Sequence, residues 1–228
     1  CVPSYALAKK YNLTAQSAFP RGDLAVPLMQ VITDTLAAET GGDEAINMQW
    51  FGAPEIVPPE QLMDAVKMGT VDILHAVGAY WAGVMPVGDV EFALPMAYNI
   101  PWKDTYVDKA RALREFFFST GYYDIIKAEY AKHDIEYIDF ITAPMIILST
   151  NPLKSLEDFK GVKIRADGLN VEFYNMAGML ATTSIPCTET YLALKLGTIA
   201  AAEWDISSIT TLNWHEAAPY WVQGIDTL

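Results

Sequence analysis

The sequence predicts an α/β fold organised as two lobes, and three observations carry that expectation. Strand and helix patterns alternate through residues 14–77. A helix–turn–strand segment beginning at Asp64 is echoed at Leu192, 128 residues further on. The chain has 228 residues, of which 52% are apolar and 19% charged, enough to bury more than one core and too apolar for disorder.

The elements follow in order. Thr14 to Phe19 alternates and runs into Pro20-Arg21-Gly22-Asp23, a strand ending in a turn. Leu24 to Glu39 places Val26, Met29, Val31, Ile32 and Leu36 at helical spacing, and Gly41-Gly42 stops it. Ala45 to Phe51 reads as a strand. Pro58-Pro59-Glu60 opens a helix that runs through Met68 and closes at Gly69, because proline suits the first helical turn. Val71 to Val77 is a buried strand. Trp102 to Lys132 is one or two amphipathic helices containing Phe116-Phe117-Phe118, and Ile135 to Leu148 is extended. Ser155 to Gly161 is a short helical turn with a capping serine and a terminal glycine. Then come a strand at Val162–Arg165, a helix at Val171–Leu180, a strand at Thr183–Pro186, a helix at Thr188–Leu196 and a strand at Ile199–Trp204. The segment from Trp221 to Leu228 reads as the start of another strand.

The echo pairs Lys67-Met68-Gly69-Thr70 with Lys195-Leu196-Gly197-Thr198, each between a helix and an apolar strand. The spacing is too long for a solenoid, so it points to similar α/β lobes. The expected division is an N-terminal lobe over 1–140, with the helices of about 102–132 packing near the hinge, and a discontinuous, incomplete C-terminal lobe over 141–228. Ligands in such sheets sit beyond the carboxyl ends of strands.

Charge and motifs narrow the function. Fifteen Lys and Arg against 28 Asp and Glu give a formal charge of −13, which excludes the basic footprint that nucleic acid or an anionic membrane needs. The longest uncharged apolar stretch, Phe140 to Leu148, is half of the roughly 18 residues that a membrane span requires. No Gly-rich phosphate loop, nucleophile elbow or His-Glu-x-x-His helix occurs, and His75, His133 and His215 stand apart. An enzyme is therefore the weaker class. Cys1 and Cys187 read as unrelated thiols, with Cys187 a small buried hydrophobe. A disulfide between them and a lipid-modified Cys1, as in bacterial lipoproteins, are the alternatives.

Several segments, in order along almost the whole chain, carry a family resemblance. They are Leu62 to Asp72, Tyr80-Trp81-Ala82-Gly83, Leu94 to Tyr98, Lys154-Ser155-Leu156-Glu157-Asp158-Phe159-Lys160-Gly161-Val162-Lys163-Ile164-Arg165, and Leu194 to Trp204. With them the chain resembles the solute-binding receptors of tripartite ATP-independent periplasmic (TRAP) transporters. The Tyr-Trp-Ala-Gly and Ala-Glu-Trp signatures look like the branch that takes 2-oxo acids, lactate and related carboxylates. The resemblance implies a two-lobed periplasmic-binding-protein (Venus-flytrap) fold with mixed sheets, closing around an organic acid and delivering it to membrane permease subunits. It also implies a periplasmic location, a chain truncated at its C-terminus, and a homodimer through a missing C-terminal helix.

The same resemblance places Arg165 on the ligand carboxylate, where a planar guanidinium offers two parallel hydrogen bonds. Glu203 and the Trp204 carbonyl would hold a calcium or sodium ion, or a water, next to the ligand, since oxygen donors suit hard cations. Asp205 would add an oxygen ligand or a selective charge, and Gln223 stands near the place of a further ligand. Phe19, Tyr80, Trp81 and Trp204 would form an aromatic wall, and Thr142 would supply a polar group from the hinge. His75 is expected to be a satisfied buried histidine. The alternatives are a receptor of another transporter class, an α/β enzyme acting on small organic acids, and a sensor lobe for a signalling partner.

Overall fold

The computed structural model describes residues 9–23, 25–40, 44–92, 105–141, 143 and 145–222. The chain divides into two compact units, residues 1–76 and 77–228. Each unit holds one of the two sheets.

In the first unit, β1 (Lys9–Ser17) is the central strand. It pairs in parallel with β2 (Glu44–Phe51) and β3 (Ile73–His75). Parallel neighbours need a crossover, and α1 (Ala25–Glu39) supplies the one between β1 and β2. Its spacing turns Val26, Met29 and Thr33 inward, while Val31 and Ile32 are exposed. Ala15, Met29 and Trp50 form a core, and the Trp50 indole N–H donates to Thr33 Oγ1 at 2.7 Å. A 3-10 turn over Pro59–Gln61 leads into α2 (Leu62–Lys67), which buries Leu62, Met63 and Ala65. The buried Gln16 amide fastens the 56–57 turn: its Oε1 accepts from Ile56 and Val57 N–H, and its Nε2 donates to the Val57 carbonyl.

In the second unit, a 3-10 turn at Gly78–Trp81 precedes α3 (Val87–Phe92), a helix that the sequence reading did not foresee. The helical stretch then resolves into α4 (Tyr106–Ser119) and α5 (Tyr122–Ala131). Thr105 caps α4 by accepting from Asp108 N–H, and Gly121, at φ +78°, makes the break before α5. Among its described residues, the expected extended stretch forms a strand at β4 (Met145–Ser149), every residue of which is buried. After the capped 3-10 turn Leu156–Phe159 come β5 (Lys163–Arg165), α6 (Asn170–Met176), β6 (Leu180–Thr182), α7 (Cys187–Lys195), β7 (Ala201–Asp205), α8 (Ser208–Thr211) and β8 (Tyr220–Val222). The strand order is β6-β5-β7-β4-β8. β5 is parallel to β6 and β7, and β4 is antiparallel to β7 and β8, so this sheet is mixed.

One strand shifts. The strand expected at Thr183–Pro186 lies at Leu180–Thr182. Gly178, at φ +92°, ends α6 early, Met179 N–H turns back to the Tyr174 carbonyl, and the following residues pair with β5. Residues 140 and 141 lie in the second unit, where the Phe140 ring packs on Phe117 of α4 at 5.1 Å between ring centroids.

The sequence echo has a structural counterpart. Gly69 and Gly197 end α2 and α7 at φ +70° and +71°. Thr70 and Thr198 N–H donate back to the carbonyls of Ala65 and Ala193, each at 2.9 Å. Both are glycine-terminated helix ends that deliver the chain into a parallel strand.

Candidate functional site

Strand alternation sorts the second sheet's side chains by face. Arg165 stands opposite Ala202 on β7, so it shares a face with Trp204. Glu203 shares the other face with Ala201, Ile147 and Ile164. The guanidinium of Arg165 lies 4.8 Å from the centroid of the Trp204 ring, and that ring in turn packs on Trp214 at 5.9 Å. A cation against an indole face is attracted by the ring quadrupole, more strongly when desolvated, and Arg165 is only 2% exposed.

Arg165 already has protein partners. Its Nε donates to the Ile185 carbonyl at 3.2 Å. Its Nη1 lies 2.5 Å from Asp167 Oδ2, an ion pair in which both side chains are buried. Oδ2 has no other hydrogen-bond partner. Burial pushes the Asp167 carboxyl up from the ordinary carboxylate range, against the pull of the adjacent guanidinium charge. Tyr80, Cys187 and Glu203 also lie close enough to act on Arg165 electrostatically.

Glu203 is 1% exposed. Its Oε1 accepts from Asn170 Nδ2 at 2.7 Å and from the Tyr174 hydroxyl at 2.9 Å. Both donors come from α6, one helical turn apart, so helix periodicity aims them at one point. Burial, and next the adjacent Glu203 carboxylate, push the Tyr174 hydroxyl well above the usual tyrosine range. Asp205, at the end of β7, accepts from Ser207 N–H at 2.8 Å and caps the turn into α8.

Tyr80 and Trp81 lie on the 3-10 turn, with ring centroids 6.4 Å apart; Trp81 is buried. Gly78 sets that turn against α3. A Cβ on Gly78 would come within 2.2 Å of Glu91 Oε2 and 2.7 Å of Gly88 Cα. Glu91 is held by the hydroxyls of Tyr130 (2.7 Å) and Tyr137 (2.8 Å). Burial pushes the Glu91 carboxyl up, and these hydrogen bonds oppose the shift.

Phe19 belongs to the first unit, where its ring meets His75 edge-on at 5.2 Å. Phe19 N–H donates to Ser17 Oγ at 3.1 Å, and Ser17 Oγ lies 3.0 Å from His75 Nδ1. Burial lowers the imidazole pKa to about 4, so the ring is neutral at pH 7, and the direction of its hydrogen bond with Ser17 follows the tautomer. Thr142, Cys1, Gln223 and the 94–98 segment lie outside the described residues.

The structure thus gathers Arg165, Trp204 and, by proximity to the guanidinium, Tyr80 in the second unit. It puts Glu203 on the opposite sheet face from Arg165 and Phe19 in the other unit. Asp167, Asn170 and Tyr174 were missed. The available signals were the Arg-x-Asp spacing, which puts Asp167 two residues beyond Arg165, and the four-residue spacing of Asn170 and Tyr174. Among the described residues, no three His, Cys, Asp or Glu side chains gather as a metal cluster, and no helix is long and apolar enough to cross a membrane. The pocket lined by Arg111, Arg114, Glu115 and Phe118 on α4 includes none of the site residues.

The fold is that of solved TRAP periplasmic solute binding proteins. It resembles the TRAP periplasmic solute binding protein from Desulfovibrio salexigens with bound orotic acid, with a TM-score of 0.77 and 17% identity over 95% of this chain and 66% of that one. It also resembles the one from Pseudoalteromonas atlantica with bound sodium and pyruvate, with a TM-score of 0.72 and 22% identity over 96% of this chain and 64% of that one. The chain belongs to the bacterial extracellular solute-binding proteins, family 7, whose model matches residues 20–224. In sequence it is 31% identical over 158 residues to the monocarboxylate 2-oxoacid-binding periplasmic protein of Nostoc, covering 68% of this chain and 40% of that protein. The resemblance read from the sequence therefore holds, for a chain that spans less than half of that relative.

Proposed function

We propose that this chain carries the ligand site of an extracytoplasmic TRAP receptor, which captures an organic acid in the periplasm and hands it to membrane permease subunits. The observation that supports this reading best is Arg165. It is a nearly fully buried guanidinium at the end of a parallel strand, backed by an indole ring. A buried cation of this kind offers planar recognition of a carboxylate in a water-poor site. Tyr80 and Trp81 would cover the ligand body, and hinge closure of two lobes would be driven by contacts made only in the closed state. The site needs no covalent chemistry to do this.

A cation is compatible with the residues present. The buried Glu203 carboxylate accepts from Asn170 and the Tyr174 hydroxyl, and oxygen donors suit sodium or calcium. Glu203 and the Trp204 carbonyl would hold the ion, and its charge would offset that of the Glu203 carboxylate, whose side chain lies on the sheet face opposite Arg165. Asp205 stays a candidate only by turning from its present role as a turn cap.

The test is calorimetry with a panel of small organic acids, with calcium, with sodium and with a chelator. At least one acid should bind without being consumed. Arg165→Lys should weaken it by about 2 kcal/mol or more, because a single ammonium cannot keep the Ile185 carbonyl and Asp167 contacts and also hold the ligand carboxylate. Unchanged affinity in that variant would sink the Arg165 assignment, and turnover of the acid would favour the enzyme reading. Glu203→Gln should abolish any cation dependence while the fold, followed by circular dichroism, persists.

A further inference from the structure

The arginine that awaits a carboxylate already has one. Asp167 Oδ2 sits 2.5 Å from Arg165 Nη1, and Arg165 and Asp167 are 2% and 7% exposed. A ligand carboxylate brought to the same guanidinium would stand beside a second buried anion. Two carboxylates on one cation repel, and the cost grows as water is excluded. Apart from that ion pair, the buried Asp167 Oδ2 atom accepts no hydrogen bond, so part of its acceptor capacity stays open.

One ligand feature relieves both problems: a donor on the carbon next to the carboxylate. A hydroxyl would hydrogen-bond to Oδ2, and an ammonium would do so and also cancel the excess negative charge. A keto oxygen does neither, since it is a second acceptor pointed at an acceptor. Sites built to meet a donor reject analogues that lack it, because the buried acceptor is then left unsatisfied.

Resting on the receptor reading above, we propose that Asp167 is a binding residue that selects carboxylates bearing an adjacent hydroxyl or ammonium group over the corresponding 2-oxo acids. Arg165 would then hold the carboxylate through Nη2 while Nη1 stays on Asp167, which reads the neighbouring donor. The aspartate acts as an internal counter-ion in the empty site and as an acceptor in the filled one.

Matched ligands test this, each set sharing one carbon skeleton: the unsubstituted acid, the 2-oxo acid, both 2-hydroxy enantiomers and both 2-amino enantiomers, in skeletons from propionate upward. Calorimetry on the wild-type protein should show a 2-hydroxy or 2-amino member binding at least tenfold more tightly than its 2-oxo and unsubstituted counterparts. Asp167→Asn, which keeps an acceptor and removes the charge, should lose the ammonium preference and keep the hydroxyl preference. Asp167→Ser should bring the members of each set to within a few-fold of one another. Thermal melts establish that each variant is folded, and if neither is, the wild-type ranking decides alone. A tighter 2-oxo acid, or no ranking at all, overturns the role of Asp167 and leaves the receptor reading standing. Failure of every acid to bind overturns the receptor reading itself.

Discussion

Arg165 and Asp167 are two residues apart, and each makes the other's burial tolerable. Removing one partner of a buried pair strands the other's charge, which costs about 3–5 kcal/mol. Arg165→Gln should lower the urea midpoint accordingly, and adding Asp167→Asn should recover much of the loss. Additive destabilisation in the double variant would show that the pair contributes little. His75 makes a second prediction at this scale. Its pKa is depressed to about 4, so the unfolded chain binds a proton more readily than the folded one. The stabilising effect of a neutral His75 is therefore complete above the unfolded value near 6.5 and is lost as pH falls towards 4. Comparing urea midpoints of the wild type and His75→Gln at pH 7.5 and pH 5 isolates this term from the carboxylates. The wild type should lose more stability than the variant over that interval, and parallel losses would refute the assignment.

The elements that carry the site depend on close backbone approaches that side chains would forbid. Gly78 lies against Gly88 of α3, and an added Cβ on either meets atoms of the other at 2.2–2.7 Å or the Glu91 carboxylate at 2.2 Å. Gly78→Ala should therefore destabilise by about 1–3 kcal/mol and displace the turn bearing Tyr80 and Trp81. Reduced ligand affinity together with a lower melting temperature is the expected result, and unchanged values of both would mean the turn relaxes freely. Gly69 and Gly197 act differently. They have open space around them but positive φ, so Gly197→Ala strains the backbone alone.

Over the whole molecule the net charge of −13 opposes an anionic ligand, while Arg165 attracts it locally. Exposed charges are screened by salt over roughly 10 Å at 0.1 M, whereas a buried contact is screened much less. Association followed by tryptophan fluorescence, with Trp204 beside the arginine, should therefore quicken as salt rises from about 10 to 150 mM. A slower association would mean that a positive surface field steers the ligand.

The sequence by itself determined the alternation of strands and helices, the glycine-ended helices behind the echo, and the family. Those features are local, written in periodicity and in residues such as Gly69 and Gly197 whose backbone angles few others accept. It also marked Arg165, through a motif that covers the strand and the turn before it. Only the tertiary structure decided what Arg165 touches, that Glu203 faces α6 through Asn170 and Tyr174, and that Gly78 packs on α3. It also decided that the strand after α6 begins at Leu180. These depend on strand register and on which helix covers which sheet face. Register is fixed by contacts between residues far apart in the chain, so a side chain's neighbours follow from the packed sheet and not from its own segment.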